Sequence, residues 1–301
     1  MKILVTGKHG QVGHALQHAL SGEHEVVAVD REQMDLSDAH AIRSTITTVR
    51  PDLIINPAAY TAVDKAESEP ALARAINAEA PRVIAEEAAK IGASLIHFST
   101  DYVYEGNKST AYNESDAVNP LSVYGKTKLA GERAIQAVGL PHLILRTSWV
   151  YGTHGKNFLK TILRLSAERD QLKIVADQWG APTSSDAIAE GVREVLKVWQ
   201  MQDQTKSGIY HFTNTGSTSW FGFAKAILQS YESKVQALSL PALKIKSETV
   251  MPITTADYPT PAARPANSRL DNTKLQNAFG FTLPDWETSL QAVMKQIPNF
   301  D

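Results

Sequence analysis

The chain opens on a short apolar run at 2–6 and then changes period, with Val12, Leu16, Ala19 and Leu20 falling on one helical face. That exchange repeats. Further apolar runs at 25–29, 52–56, 94–98, 141–146 and 209–213 predict buried strands, and helical patterns fill 38–50, 69–91, 121–138 and 184–199. Ser37 or Asp38 is the expected cap of the helix over 38–50, and Ser184 or Ser185 that of the helix over 184–199. Alternation of this kind predicts an α/β fold with a Rossmann-type doubly wound parallel sheet. After Gly155 the alternation loosens: 157–169 reads as a helix, 172–176 as a strand, 177–183 as a loop, and 271–279 and 286–296 as closing helices. Prolines at 241, 252, 259, 261 and 265 argue against regular elements over 240–267. The expected division is a dinucleotide-binding domain of 1–153 and 181–215, with a smaller C-terminal α/β substrate lobe of 154–180 and 216–301.

Composition narrows the function. The 301 residues are 43% hydrophobic and 21% charged, enough to bury a substantial core. A formal charge of -2 without basic runs gives no footprint for nucleic acid or a membrane surface, so a small-molecule ligand is expected. Zero cysteines exclude disulfides, thiolate metal sites and a cysteine nucleophile. No apolar run approaches the ~20 residues of a membrane helix. The N-terminus enters a strand directly, without a leader, and a cytoplasmic protein is expected.

Candidate chemistry sits at the carboxyl ends of the expected strands. Gly7, Gly10 and Gly13 join the first strand to the first helix: Gly7 permits the turn, Gly10 lets a backbone amide approach a pyrophosphate, and Gly13 allows close packing. Gln11 and Val12 start that helix, whose unpaired N–H groups suit an anion. Asp30, ending the second strand, suits the ribose hydroxyls of NAD, whereas Arg31 beside it suits the 2′-phosphate of NADP. Asp35 and Leu36 follow in a loop within reach of adenine. Ala58, Ala59 and Tyr60 end the third strand, where small residues let a cofactor pass. Thr100, Asp101 and Tyr102 end the fourth. Trp149 follows the fifth, as core filler or as a ligand wall. Arg264, Asn267 and Ser268, in the proline-rich stretch, offer a clamp for a diphosphate. Tyr124 and Lys128 are four apart on one expected helix face, a spacing common on solvated helices. A neighbouring ammonium would lower the tyrosine pKa. Asn77 is an isolated polar residue in an apolar helix, and its role stays open.

Taken together, the segments 7–13, 56–64, 99–104, 146–152 and 264–268 make the chain resemble the extended short-chain dehydrogenase/reductase superfamily along its full length, and within it the dTDP-4-dehydrorhamnose reductases. His9 and Tyr104 depart from the family's usual residues. The resemblance implies hydride delivery to the C4 ketone of a dTDP-4-keto-6-deoxy sugar, in nucleotide-sugar metabolism that serves cell-surface polysaccharide, lipopolysaccharide included. Tyr124 would be the proton donor, Lys128 would hold the nicotinamide ribose, and Thr100 would polarise the ketone. Asp101, Tyr102 and Trp149 would line the sugar pocket, with Arg264, Asn267 and Ser268 on the diphosphate side. NADPH is the expected cofactor, with NADH as the alternative. The resemblance also implies a homodimer with Mg2+ held by acidic side chains at its interface. No ligands are assigned to that ion; Asp186 and Glu190, four apart, read as a solvated pair. A dehydratase needs an acidic pair after the threonine, and here Asp101 is followed by Tyr102. The alternatives are a catalytically silent, cofactor-binding regulatory subunit and a related sugar-nucleotide epimerase or dehydratase.

Overall fold

The structure, a computed structural model, describes residues 1–199, 204–238 and 240–297. Six strands form one parallel sheet: β1 Lys2–Thr6, β2 Glu25–Val29, β3 Leu53–Asn56, β4 Ser94–Thr100, β5 His142–Thr147 and β6 Gly208–His211. Their spatial order is β6-β5-β4-β3-β1-β2. The winding reverses between β1 and β3, and a ligand crevice is expected outside the carboxyl ends at such a reversal.

Strand residues alternate between two buried faces, which is why these segments read as continuous apolar runs. On one face Val5, Ile55, Ile96 and Leu145 pack with α1 (Gln11–Leu20) and α7 (Ser185–Val198). On the other Leu4, Ile54, Leu95 and Ile144 meet α2 (Ala39–Val49), α4 (Ala80–Ile91) and α5 (Val123–Val138). Local chemistry sets the ends. Asp38 accepts from the His40 amide at the start of α2, Ser184 from Ala187 at the start of α7, and Ser122 from Gly125 at the start of α5. Gly92 and Gly139, both at positive φ, follow α4 and α5.

The helix expected over 69–91 is divided. α3 (Pro70–Arg74) runs into a π-helical turn, Ala75–Glu79, before α4. Asn77 lies in that turn and clamps Tyr60, accepting from its amide (2.8 Å) and donating to its carbonyl (3.1 Å). A Cβ on Gly131 of α5 would lie 2.2 Å from the Asn77 carbonyl oxygen, so the two helices cross backbone to backbone at that glycine.

The smaller lobe is a third apolar cluster. It joins Tyr151, Leu159 and Leu163 of α6 (Phe158–Glu168) to Phe223, Ile227 and Leu228 of α8 (Trp220–Leu238) and to Trp286, Leu290 and Val293. The long helix α8 was not among the expected elements. The proline-rich stretch is also more regular than expected, because Met251–Ile253 pairs in parallel with Lys173–Val175. Pro252 is tolerated in that two-stranded ribbon, where each strand is an edge. Trp179–Gly180, expected in a loop, pairs with Thr218–Ser219. Of the closing helices, α9 (Thr273–Phe279) buries Leu275 and Phe279 against the large sheet with Val192 and Tyr210, whereas α10 (Trp286–Gln296) packs in the smaller lobe. Among the described residues, no helix is long and apolar enough to cross a membrane.

Candidate active site

The glycine turn is built as a cradle. Gly7 has φ +64, which a side chain rarely adopts, and a Cβ there would sit 3.0 Å from Cβ of Ala58. A Cβ on Gly13 would lie 2.2 Å from the Gly7 carbonyl oxygen. Gly10 donates its amide to that oxygen (2.8 Å) and precedes α1 with no side-chain cap. The helix start is therefore open, and its first amides have no intrahelical partner. Gln11 turns its side chain away, donating to the Val150 carbonyl (3.3 Å) and accepting from Asn157 (3.0 Å). Val12 packs on the core.

Asp30 is more heavily engaged than a free ribose acceptor. Lys8 Nζ and His9 Nε2 lie 2.8 and 3.3 Å from one of its oxygens, and the amides of Glu32 and Gln33 donate to the other. The Lys8 hydrogen bond foremost draws its pKa down to about 2. His9, one of the two departures from the family's usual residues, thus joins the acid. Arg31 reaches Asp35 (3.1 Å), which also accepts from the amide and hydroxyl of Ser37, while Leu36 packs on the sheet. Ala58 donates its amide to Thr6 Oγ1, and Tyr60 donates its phenol to Glu69.

Tyr124 and Lys128 both lie on α5 beside the end of β4, but they do not pair. Lys128, 2% exposed, donates to the Phe98 carbonyl (2.6 Å) and lies 3.2 Å from His97 Nε2. Burial pushes its pKa down to about 8, against the opposing pull of Glu132. The Tyr124 phenol lies toward Thr100, and the ring meets Tyr102 edge-on at 5.5 Å. Burial raises its pKa to about 12, with Thr100 opposing. The expected lowering by Lys128 is therefore absent here, because the lysine nitrogen is bound elsewhere and desolvation dominates.

Asp101 is 3% exposed: Oδ1 accepts from Thr100 Oγ1 (3.0 Å), and Oδ2 is buried without a partner. Desolvation raises its pKa to about 6. Trp149 adopts φ +49 and stacks on Trp220 with ring centroids 3.6 Å apart, and a Cβ on Gly180 would lie 2.6 Å from its indole. Arg264 pairs with Asp64 at 2.7 Å, and its Nη1 is buried and unpaired. Asn267 stands apart from this group. Its amide donates to the carbonyls of Lys108 and Thr110, and its oxygen accepts from the Arg269 amide and Nε, which uses up its capacity. The expected contact of Asn267 with a diphosphate is replaced by a clamp on the 108–110 turn.

Two buried networks went unread in the sequence. One joins Thr6, Asn56 and His97 to Lys128. The other pairs Glu132 with Arg146 (2.6 Å), Arg146 with the Tyr104 phenol (2.7 Å), and that phenol with His211 (2.7 Å). Tyr104 thus contributes the hydroxyl that joins Arg146 to His211. The residues present do not fit a magnesium site within one chain. Among the described residues no group of three or more His, Cys, Asp or Glu is placed to hold a metal, and Asp186 and Glu190 are engaged with Gln296 and Arg193.

A dinucleotide cradle beside a strand end carrying threonine and a helix carrying tyrosine and lysine is the arrangement of a nicotinamide-dependent oxidoreductase. Comparison with known proteins narrows it. The family model described as RmlD substrate binding domain matches residues 1–298. The dTDP-4-dehydrorhamnose reductase of Burkholderia thailandensis is 43% identical over 301 residues, covering 99% of both chains. A solved dTDP-4-dehydrorhamnose reductase of Clostridium acetobutylicum superposes with a TM-score of 0.89 at 37% identity, over 98% of this chain and 99% of that one. That of Bacillus anthracis, solved in complex with NADP, gives 0.88 at 35%, with the same coverage. With its full length matched in sequence and in fold, the chain belongs to the dTDP-4-dehydrorhamnose reductase family.

Proposed function

We propose that the chain reduces the C4 ketone of dTDP-4-dehydro-L-rhamnose to give dTDP-L-rhamnose, with NADPH as the cofactor. The observation that carries this reading is the meeting of Thr100, Tyr124 and Lys128 beside the glycine cradle, in a chain of this family. NADPH supplies the hydride when bound. Gly7, Gly10 and Gly13 with the open start of α1 fit its pyrophosphate, and Lys8 beside Asp30 offsets the acid near the adenosine ribose. Ala58, Ala59 and Tyr60 complete the cradle.

The site residues divide the remaining work. With its pKa raised to about 12, Tyr124 is a protonated phenol at neutral pH, and so a donor rather than a base. A phenol is more acidic than an alcohol, so its proton passes downhill to an alkoxide forming at C4. Thr100 offers a hydroxyl to the same oxygen. Lys128 turns from Phe98 to the nicotinamide ribose. Asp101, Tyr102, Trp149 and Ser268 enclose the sugar, and Arg264 takes the diphosphate in exchange for Asp64. Residues 1–153 with 181–215 serve the cofactor, and 154–180 with 216–301 the sugar nucleotide. The reaction is placed in the cytoplasm, and an accompanying homodimer is tested by sedimentation with and without a chelator.

Purified chain mixed with NADPH and dTDP-4-dehydro-L-rhamnose should consume nicotinamide absorbance, and Tyr124→Phe should abolish turnover while leaving NADPH affinity nearly intact. Absence of oxidation with authentic substrate favours the silent regulatory subunit, and wild-type kcat in Tyr124→Phe overturns the role of Tyr124.

A further inference from the structure

A file of buried polar groups runs from the cofactor cradle to Lys128 without a part in the chemistry above. The Ala58 amide donates to Thr6 Oγ1 (3.3 Å), and Thr6 Oγ1 donates to Asn56 Oδ1 (2.6 Å). Asn56 Nδ2 meets His97 Nδ1 at 3.0 Å, and His97 Nε2 meets Lys128 Nζ at 3.2 Å. Thr6, Asn56 and His97 are each at most 1% exposed. Four elements, β1, β3, β4 and α5, contribute to the file.

Its direction follows from its first member. A backbone amide only donates, so the Thr6 oxygen accepts from Ala58, and among the described residues Asn56 Oδ1 is the acceptor within reach of the Thr6 proton. That turns the Asn56 NH2 toward His97, whose Nδ1 must accept. Burial holds the His97 pKa well below its ordinary value, so the ring is neutral and, with Nδ1 accepting, carries its one proton on Nε2. Two N–H donors cannot share one hydrogen bond. The Lys128 nitrogen therefore accepts from His97 through its lone pair while donating to the Phe98 carbonyl. An ammonium donating to His97 would require the other tautomer, a reversed Asn56 amide and a buried Thr6 hydroxyl proton without an acceptor. Of the other ionisable groups about Lys128, Glu132 pulls toward the ammonium. Tyr124 on the same helix is protonated, and Glu132, four residues on, is held by two hydrogen bonds from Arg146 of β5.

We propose that His97 is a positioning residue that holds the unprotonated Lys128 amine as a hydrogen-bond acceptor in the cofactor-free chain at alkaline pH, in a one-way file anchored on the Ala58 amide. Ligand binding at the cradle then reverses the file, and Lys128 takes up one proton from solvent. Only this last consequence rests on the cofactor role given to Lys128 above.

The test reads protons directly, so it stands whether or not the chain turns over the keto sugar. Imidazole 15N shifts of cofactor-free wild-type chain, recorded at a pH above the Lys128 midpoint, should show His97 protonated on Nε2; protonation on Nδ1 there overturns the proposal. Lysine 13Cε titration, with the Lys128 signal identified by its loss in Lys128→Met, should place the Thr6→Val midpoint about one pH unit above wild type. The hydroxyl that directs the Asn56 amide is gone in that variant, and His97 is free to accept from an ammonium. A merely structural Thr6 would change stability and leave the midpoint in place, and that result also overturns the proposal.

Discussion

Replacing Asp101 by asparagine should change stability in a way that depends on pH with a definite sign. The carboxyl is buried with one oxygen unpaired, and its pKa is raised from 3.8 to about 6. In the unfolded chain it ionises above ~3.8, and in the folded chain only above about 6. The destabilisation is therefore absent where both states are protonated, grows between these values, and is complete above the folded pKa. At about 1.4 kcal/mol per unit it reaches roughly 3 kcal/mol. Asparagine removes this term and keeps an oxygen for Thr100, but it buries an unpaired N–H at about 1–3 kcal/mol. The variant should be less stable than wild type near about pH 4 and equal or more stable near about pH 8. Urea unfolding at a series of pH values, read as the difference between the two chains so that other groups cancel, measures this directly. A difference that stays constant across the series would refute a desolvated carboxylate at this position.

Other substitutions probe the surrounding geometry. Gly13→Ala drives a methyl against the Gly7 carbonyl, and should cost about 1–3 kcal/mol in urea unfolding and weaken NADPH binding more than tenfold by fluorescence titration. Glu132→Gln leaves the 2%-exposed Arg146 without its charge partner, and should destabilise by about 3–5 kcal/mol; a loss below about 1 kcal/mol would mean the pair is solvated. Arg264→Met should raise KM for the dTDP sugar by about 10–100-fold with kcat largely kept, as expected for lost charge-assisted hydrogen bonds, in steady-state assays at saturating NADPH.

The sheet and the cradle were legible because their signals are local. A strand, three glycines and a helix start occupy thirteen residues, and each later strand end carries its polar groups in one short run. What escaped is mostly non-local. Thr6 and Asn56 are 50 residues apart and Asn56 and His97 are 41 apart, so their pairing exists only once β1, β3 and β4 lie side by side. Lys128 was placed rightly on the face of Tyr124, yet its nitrogen is drawn to a carbonyl that the helix spacing does not reveal. Asn267 had suitable chemistry for a phosphate, and the turn at 108–110 consumed it. α8 is the exception, since Phe223, Ala224, Ile227, Leu228 and Tyr231 show a helical period in the sequence itself.

The crossing at Gly131 bears on how this protein can be improved. Exchanging a mid-helix glycine for alanine is an ordinary route to thermostability, worth about 0.5–1 kcal/mol. In α5 the added methyl would strike the Asn77 carbonyl and tilt the helix that carries Tyr124 and Lys128. A thermostabilisation campaign guided by helix propensity would choose this position early and lose the enzyme there, whereas Gly92 and Gly139, with open space around them, would be passed over for their positive φ.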